Sequence, residues 1–297
     1  MKRKCYLSKK ESWTVLELLN WSADYLDKKG IENSRRNVEE LLCLTLKCKR
    51  LDLYLKFEMP LKPQELKVYR EFFKRRVNRE PLQYILGETD FYNSKIKLHK
   101  KVLIPRPETE LLVERVLEKI DSLDFESSKI LDIGTGSGCI AISLAFELPD
   151  SQVLGIDISE DAVSLATENA VFNEVSNAKF IKRNALDTPR KTGIFDFIVS
   201  NPPYIESSEI PKLMPEVKDF EPILALDGGK DGFDFYREVI PNCYSLLKDE
   251  GFVFFEVGYK QAQNLKKILL GNNFAEVEIF KDYSGIERIV SAKKSTL

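Results

Sequence analysis

Apolar residues between Trp13 and Val77 recur every three to four positions, the period of a helix with one buried face. Trp13, Leu16, Leu19, Ala23 and Leu26 form the first stripe and Gly30 follows as a stop, so a helix is predicted over residues 13–28. It carries both tryptophans, Trp13 and Trp21, eight positions apart and so near one face, as core residues. Asn33 or Ser34 can cap a second helix through Leu46, with Val38, Leu41, Leu42 and Thr45 inward. A shorter apolar segment, Leu51 to Phe57, ends at Met59-Pro60. Pro63 suits the first position of another helix, whose stripe is Leu66, Tyr69, Phe72, Phe73 and Val77. Four short helices without a strand predict a small helical bundle over residues 1–80.

Residues 81–104 change character. Ile85, Phe91, Ile96, Leu98, Val102 and Ile104 sit in alternating surroundings, with Gly87 and Asn93-Ser94 as turns, which predicts a β-hairpin linker. His99, the only histidine, is flanked by Leu98, Lys100 and Lys101 and reads as a surface strand residue. Beyond it, Glu108-Thr-Glu110 opens a helix over 111–120. From Lys129 strands and helices alternate, with strands at 129–133, 152–156, 178–182, 194–200 and 251–257 and helices at 137–147, 160–172, 236–247 and 261–270. Two final strands, 276–280 and 287–291, are joined through Tyr283-Ser-Gly285 without a helix. Such alternation predicts an α/β domain over 105–297, a parallel sheet with helices on both faces and an antiparallel last strand.

A chain of 297 residues fits two domains. No run approaches the roughly 18 apolar residues that cross a membrane. The basic start, Met1-Lys-Arg-Lys-Cys5, lacks the apolar stretch of a signal peptide. The five cysteines form no Cys-x-x-Cys pair and are odd in number, which suggests a reduced, cytoplasmic protein without structural zinc. Charge is uneven. Residues 1–80 hold 20 of the 45 Lys and Arg residues but 12 of the 47 Asp and Glu residues, about +8 net, leaving about −10 on the remainder. The basic front can meet an acidic protein face or RNA, whereas an acidic, compact second half disfavours a long polyanion.

Three strand ends carry candidate chemistry. Asp132-Ile-Gly-Thr-Gly-Ser-Gly138 closes the first strand of the α/β domain, and its alternating Gly134, Gly136 and Gly138 let the backbone turn sharply against a ligand. A dinucleotide fingerprint wants Gly or Ala where Cys139 stands, so a nucleoside with an amino-acid tail fits better than a pyrophosphate. Asp157 ends the next strand, where a carboxylate can accept both ribose hydroxyls or serve as a turn residue. The apolar run 194–199 must stop at Ser200 or Asn201, because Pro202 and Pro203 have no N–H for the ladder. Asn201, the two prolines and Tyr204 thus form a stiff platform suited to a planar –NH2 group: the amide oxygen accepts, the carbonyls lack local partners, and the ring can stack. Arg106, pinned between Pro105 and Pro107, reads as part of a site wall.

The glycine loop, Asp157 and Asn201-Pro-Pro-Tyr204 resemble the amino-methyltransferases that use S-adenosylmethionine. Added to them, Pro81-Leu-Gln-Tyr-Ile-Leu-Gly87, Ile104-Pro-Arg-Pro-Glu-Thr-Glu110, Glu221-Pro-x-x-Ala-Leu226, Asp227-Gly-Gly-x-Asp-Gly232 and Glu256-Val-Gly-x-x-Gln261 resemble the protein-(glutamine-N5) methyltransferases acting on peptide-chain release factors. The likeness runs from about residue 13 to 292. It implies a Rossmann-like methyltransferase sheet joined by the hairpin to a helical substrate-recognition domain. It implies S-adenosylmethionine held by Gly134, Thr135, Gly136, Ser137, Gly138 and Asp157, with Asn201 beside it and either Asn184 or Ala185 near the adenine. Phe91, Arg106 and Asn201 to Tyr204 would meet the substrate glutamine, the last four as the catalytic set, with no metal, no membrane and no stable nucleic-acid binding. An N6-adenine methyltransferase could use the same platform on a flipped base, but it would favour a basic catalytic half. A binding module working through the bundle alone would not need the loop, the acid and the platform together.

Overall fold

The computed structural model describes residues 12–187 and 194–295. The chain divides into two compact units, Met1–Gly87 and Glu88–Leu297. Cys5 and the basic residues before it lie outside the described residues.

The first unit is helical: α1 (Val15–Lys28), α2 (Ser34–Leu46), α3 (Arg50–Leu55), α4 (Pro63–Val77) and α5 (Leu82–Leu86). Helix α1 starts where Thr14 and Glu17 cap each other reciprocally, at 3.3 and 3.0 Å. Trp13 therefore precedes the helix, in extended chain whose carbonyl accepts from Leu61 N at 2.8 Å. It still meets Trp21 edge-on, 5.8 Å between centroids, within the core. The buried face is Val15, Leu18, Leu19, Ser22 and Leu26, so Leu16 and Ala23 of the predicted stripe lie at its margin. In α2, Glu39 is fully buried and gathers Arg35 (3.1 Å), Arg50 (2.6 Å) and Tyr54 (3.0 Å), tying α3 to α2. A buried carboxylate is tolerated when so many donors surround it. Residues Leu82–Leu86 are helical where a hairpin linker is expected, and Gly87, at φ +81°, ends that turn in left-handed geometry. Four apolar residues in a turn of helix carry too little periodicity to be told from a strand.

In the second unit a hairpin, β1 (Glu88–Phe91) with β2 (Ser94–Lys97), precedes the main sheet. His99 is exposed just beyond β2 rather than within a strand. A 3-10 turn, Pro107–Thr109, leads into α6 (Glu110–Ser122). The sheet comprises β3 (Lys129–Ile133), β4 (Gln152–Asp157), β5 (Ala178–Lys182), β6 (Phe195–Ser200), β7 (Leu247–Glu256), β8 (Phe274–Lys281) and β9 (Glu287–Lys294). Helices α7 (Cys139–Glu147) and α8 (Glu160–Phe172) connect its first strands. The segment after β6 holds only short turns, including α9 (Pro215–Lys218), before α10 (Asp234–Leu246) and α11 (Ala262–Gly271).

Strand order is β5-β4-β3-β6-β7-β9-β8, and β9 runs antiparallel to both its neighbours, as the missing crossover helix requires. Strand β3 pairs with β4 on one side and β6 on the other. The chain thus reverses its direction of growth at β3, which opens a crevice at the carboxyl ends of β3, β4 and β6. All six residues of β6 are buried, and Phe197 stacks on Phe252 of β7 at 6.0 Å. A strand buried on both faces is held firmly, so the residue after it has a fixed place.

Candidate active site

The glycine loop leaves β3 with Gly134, Gly136 and Gly138 at φ +72°, +56° and +84°, a region that side chains disfavour. At Gly138 a Cβ would also lie 2.9 Å from that of Ala166 in α8. The loop is sewn to β4 by Gly134 N and Thr135 N, which donate to the Ile156 carbonyl at 2.9 and 3.0 Å. Asp157 Oδ2 accepts from Gly136 N at 3.0 Å and Oδ1 from Ser159 N at 2.8 Å. Its carboxylate is therefore a turn residue, and each oxygen keeps a lone pair for a further donor. Beneath the loop, Asp132 is fully buried and accepts from Thr135 Oγ1 at 2.7 Å; burial pushes its carboxyl up to about 7, and the nearby Asp157 charge adds to that.

A cavity of about 380 Å3 occupies the crevice. Gly134, Thr135, Gly136, Ser137, Asp157, Asn184, Ala185, Asn201 and Pro203 line it. Gly138, at the end of the loop, lies against Ala166 rather than lining the cavity. Pro202 is buried, and Tyr204 packs against the core of the sheet. Asn184 Oδ1 accepts from Leu186 N at 3.0 Å, so its oxygen shapes the turn it sits in. Phe91 is buried in β1, and Arg106 turns to Glu221, its Nη2 donating to both carboxylate oxygens at 2.6 and 2.8 Å; neither side chain lines the cavity. Burial raises the Glu221 carboxyl, and the Arg106 guanidinium opposes that shift.

The platform is braced from several elements. Asn201 Nδ2 donates to Thr109 Oγ1 at 2.9 Å, and Thr109 Oγ1 donates to Glu256 Oε2 at 2.6 Å. Tyr204 Oη donates to Glu256 Oε1 at 3.2 Å, and Tyr236 Oη to the Glu256 carbonyl at 2.6 Å. Burial pushes the Glu256 carboxyl up to about 7, against the pull of the Thr109 and Tyr204 hydroxyls and of Arg288. It also raises the Tyr204 phenol, with Glu256 adding to the effect. Gln261 clamps the far side, its Oε1 accepting from Gly258 N at 2.8 Å and its Nε2 donating to the Tyr204 carbonyl at 2.9 Å. Gly228 closes over the platform, where a Cβ would come within 2.7 Å of Tyr204 Cα. Thr109, Glu221, Glu256 and Gln261 stand in the sequence patterns, yet only their contacts reveal what they do. For Glu256 one local signal existed, a carboxylate closing the apolar run 252–255.

Known proteins resemble this chain over most of its length. Residues 17–87 match the family described as PrmC N-terminal domain, and residues 107–216 the methyltransferase small domain. A protein of Thermodesulfovibrio yellowstonii named release factor glutamine methyltransferase is 43% identical over 261 residues, which cover 88% of this chain and 92% of that one. One of Fusobacterium nucleatum with the same name is 43% identical over 281 residues, 94% of this chain and 79% of its own. A solved methyltransferase structure from Pyrococcus furiosus shares the fold, with a TM-score of 0.50 at 19% identity, over 77% of this chain and 98% of that one.

Proposed function

Because the chain belongs to the release factor glutamine methyltransferases, we propose that it transfers a methyl group from S-adenosylmethionine to the side-chain nitrogen, N5, of the glutamine in the Gly-Gly-Gln loop of a peptide-chain release factor. The observation that carries this reading is the Asn201 amide at the end of β6. Asn201 lines the cavity, and with its Nδ2 donating to Thr109 its Oδ1 is the atom we assign to accept a primary amide's N–H.

The residues present suit S-adenosylmethionine. The left-handed loop over Gly134 to Gly138 brings bare backbone to the cavity, with nothing within 4 Å of a Cβ placed at Gly134. Asp157 has lone pairs left for two ribose hydroxyls. When bound, the cofactor would supply a methyl carbon on a sulfonium; as the N–CH3 bond forms, the C–S electron pair would return to sulfur and the proton lost by the substrate nitrogen would pass to water. An amide nitrogen is a poor nucleophile because its lone pair is delocalised into the carbonyl. Hydrogen bonds from its two N–H groups to Asn201 Oδ1 and the Pro202 carbonyl would hold it and favour pyramidal geometry. The protein's contribution is therefore positioning and electrostatic fit. The basic helical unit serves as a second contact for the release factor.

The test offers the protein release factor, DNA and RNA together with labelled S-adenosylmethionine. Label is expected on the loop glutamine, located by mass spectrometry. Label in nucleic acid, or in release factor whose glutamine has been changed to alanine, would overturn the proposal. Replacing Asn201 by alanine is expected to leave cofactor affinity nearly intact while cutting transfer about a hundredfold.

A further inference from the structure

We infer that Thr109 and Glu256 are positioning residues that set the polarity of the Asn201 amide, so that Oδ1 rather than Nδ2 is presented to the substrate. The inference rests on the proposed role of Asn201.

The two ends of an asparagine amide are nearly identical in shape, and only their hydrogen-bond partners decide which way the group points. At Asn201 the decision is made by proton counting. Thr109 has one hydroxyl proton, directed along the 2.6 Å contact to Glu256 Oε2. Toward Asn201 it can only accept, and the atom 2.9 Å away must then be the donor Nδ2. A flipped amide would set its oxygen against the hydroxyl's lone pairs. Glu256 enforces the direction of the chain because both its oxygens are already acceptors, Oε2 from Thr109 and Oε1 from Tyr204 at 3.2 Å.

The geometry keeps this relay stiff. Thr109 is 1% exposed at the start of α6, Glu256 is 1% exposed at the end of β7, and Asn201 follows β6. The three residues come from three elements of one unit, so none can turn without breaking a bond to another. Such a relay matters to a reaction without a strong base. A nucleophilic amide must find an acceptor already in place, since reorienting the asparagine during each turnover would add to the barrier.

The test compares the full-length Thr109→Ser and Thr109→Val proteins, alone and combined with Asn201→Ala. Serine keeps the hydroxyl and is expected to hold kcat within about threefold of wild type. Valine keeps the shape without the hydroxyl and is expected to lower kcat about ten- to a hundredfold, with S-adenosylmethionine affinity by calorimetry unchanged. In the Asn201→Ala background the valine change should cost nothing further, because the amide it orients is gone. In the substrate-free protein, the Asn201 side-chain N–H resonances should move in Thr109→Val and not in Thr109→Ser. A valine variant with wild-type kcat and unmoved resonances, or a full additional loss in the Asn201→Ala background, would overturn the inference. Failure of wild-type protein to label the glutamine would instead overturn the proposed reaction.

Discussion

At the scale of single residues, the site depends on buried carboxylates whose charge is costly. Glu256 titrates at about 7 rather than its ordinary 4.5, because burial disfavours the anion more than Thr109, Tyr204 and Arg288 favour it, and Glu108 adds a like charge. A carboxyl raised on folding is protonated more readily in the native state than in the unfolded chain. Its burial therefore costs nothing at low pH, and stability falls as pH rises from about 4.5 through about 7. The relay to Asn201 has the opposite need, since only the ionised group accepts from both Thr109 and Tyr204. We predict that kcat rises through an apparent value near 7 while the melting temperature falls as pH climbs from about 4.5 toward 7. Glu256→Gln should flatten the kcat profile and make the fall in melting temperature shallower, the rest of that fall belonging to the buried Asp132, whose carboxyl is likewise pushed up to about 7; a Glu256→Gln enzyme keeping the wild-type acid limb would refute the assignment. Asp157 makes a separate prediction. Because it holds both the loop and the proposed ribose, Asp157→Ala should weaken S-adenosylmethionine binding by about 1–3 kcal/mol in calorimetry.

At the scale of elements, the strand ends do the positioning, and most of them were legible. A glycine run, an acid and an Asn-Pro-Pro-Tyr run each stop a strand by local chemistry, so the chain shows where β3, β4 and β6 end and what stands there. What could not be read is what faces what. Thr109 and Glu256 are 147 positions apart and meet only because α6 and β7 converge. Tyr204, which reads as a stacking ring, spends its hydroxyl on Glu256, and Arg106, which reads as a wall, spends its guanidinium on Glu221. The segment from Ile205 to Phe233 has no period at all, yet it closes on the platform through Gly228. We predict that Gly228→Ala, whose Cβ would sit 2.7 Å from Tyr204 Cα and 2.9 Å from the Pro203 carbonyl, lowers kcat at least about tenfold by shifting the platform. Cofactor affinity should stay near wild type, since the glycine loop lies at another strand end. Equal losses in both would mean that the crevice moves as one piece.

At the scale of the whole molecule, charge is spread unevenly along the chain. No helix among the described residues is long and apolar enough to cross a membrane. In the basic unit, α3 leaves Leu51 and Leu55 74% and 82% exposed, close in sequence to exposed Lys47 and Lys49. Leucine stems among cations suit an acidic protein surface with apolar spots, and a substrate held there as well as at its loop gains through effective concentration. That advantage exists only for the intact partner. We therefore predict that Lys49→Glu combined with Leu55→Ser raises KM for intact release factor about tenfold while leaving KM for a short Gly-Gly-Gln peptide unchanged. Both side chains are exposed, so the melting temperature should hold. Equal changes for protein and peptide would place the effect in the crevice, and no change for either would remove α3 from the recognition surface.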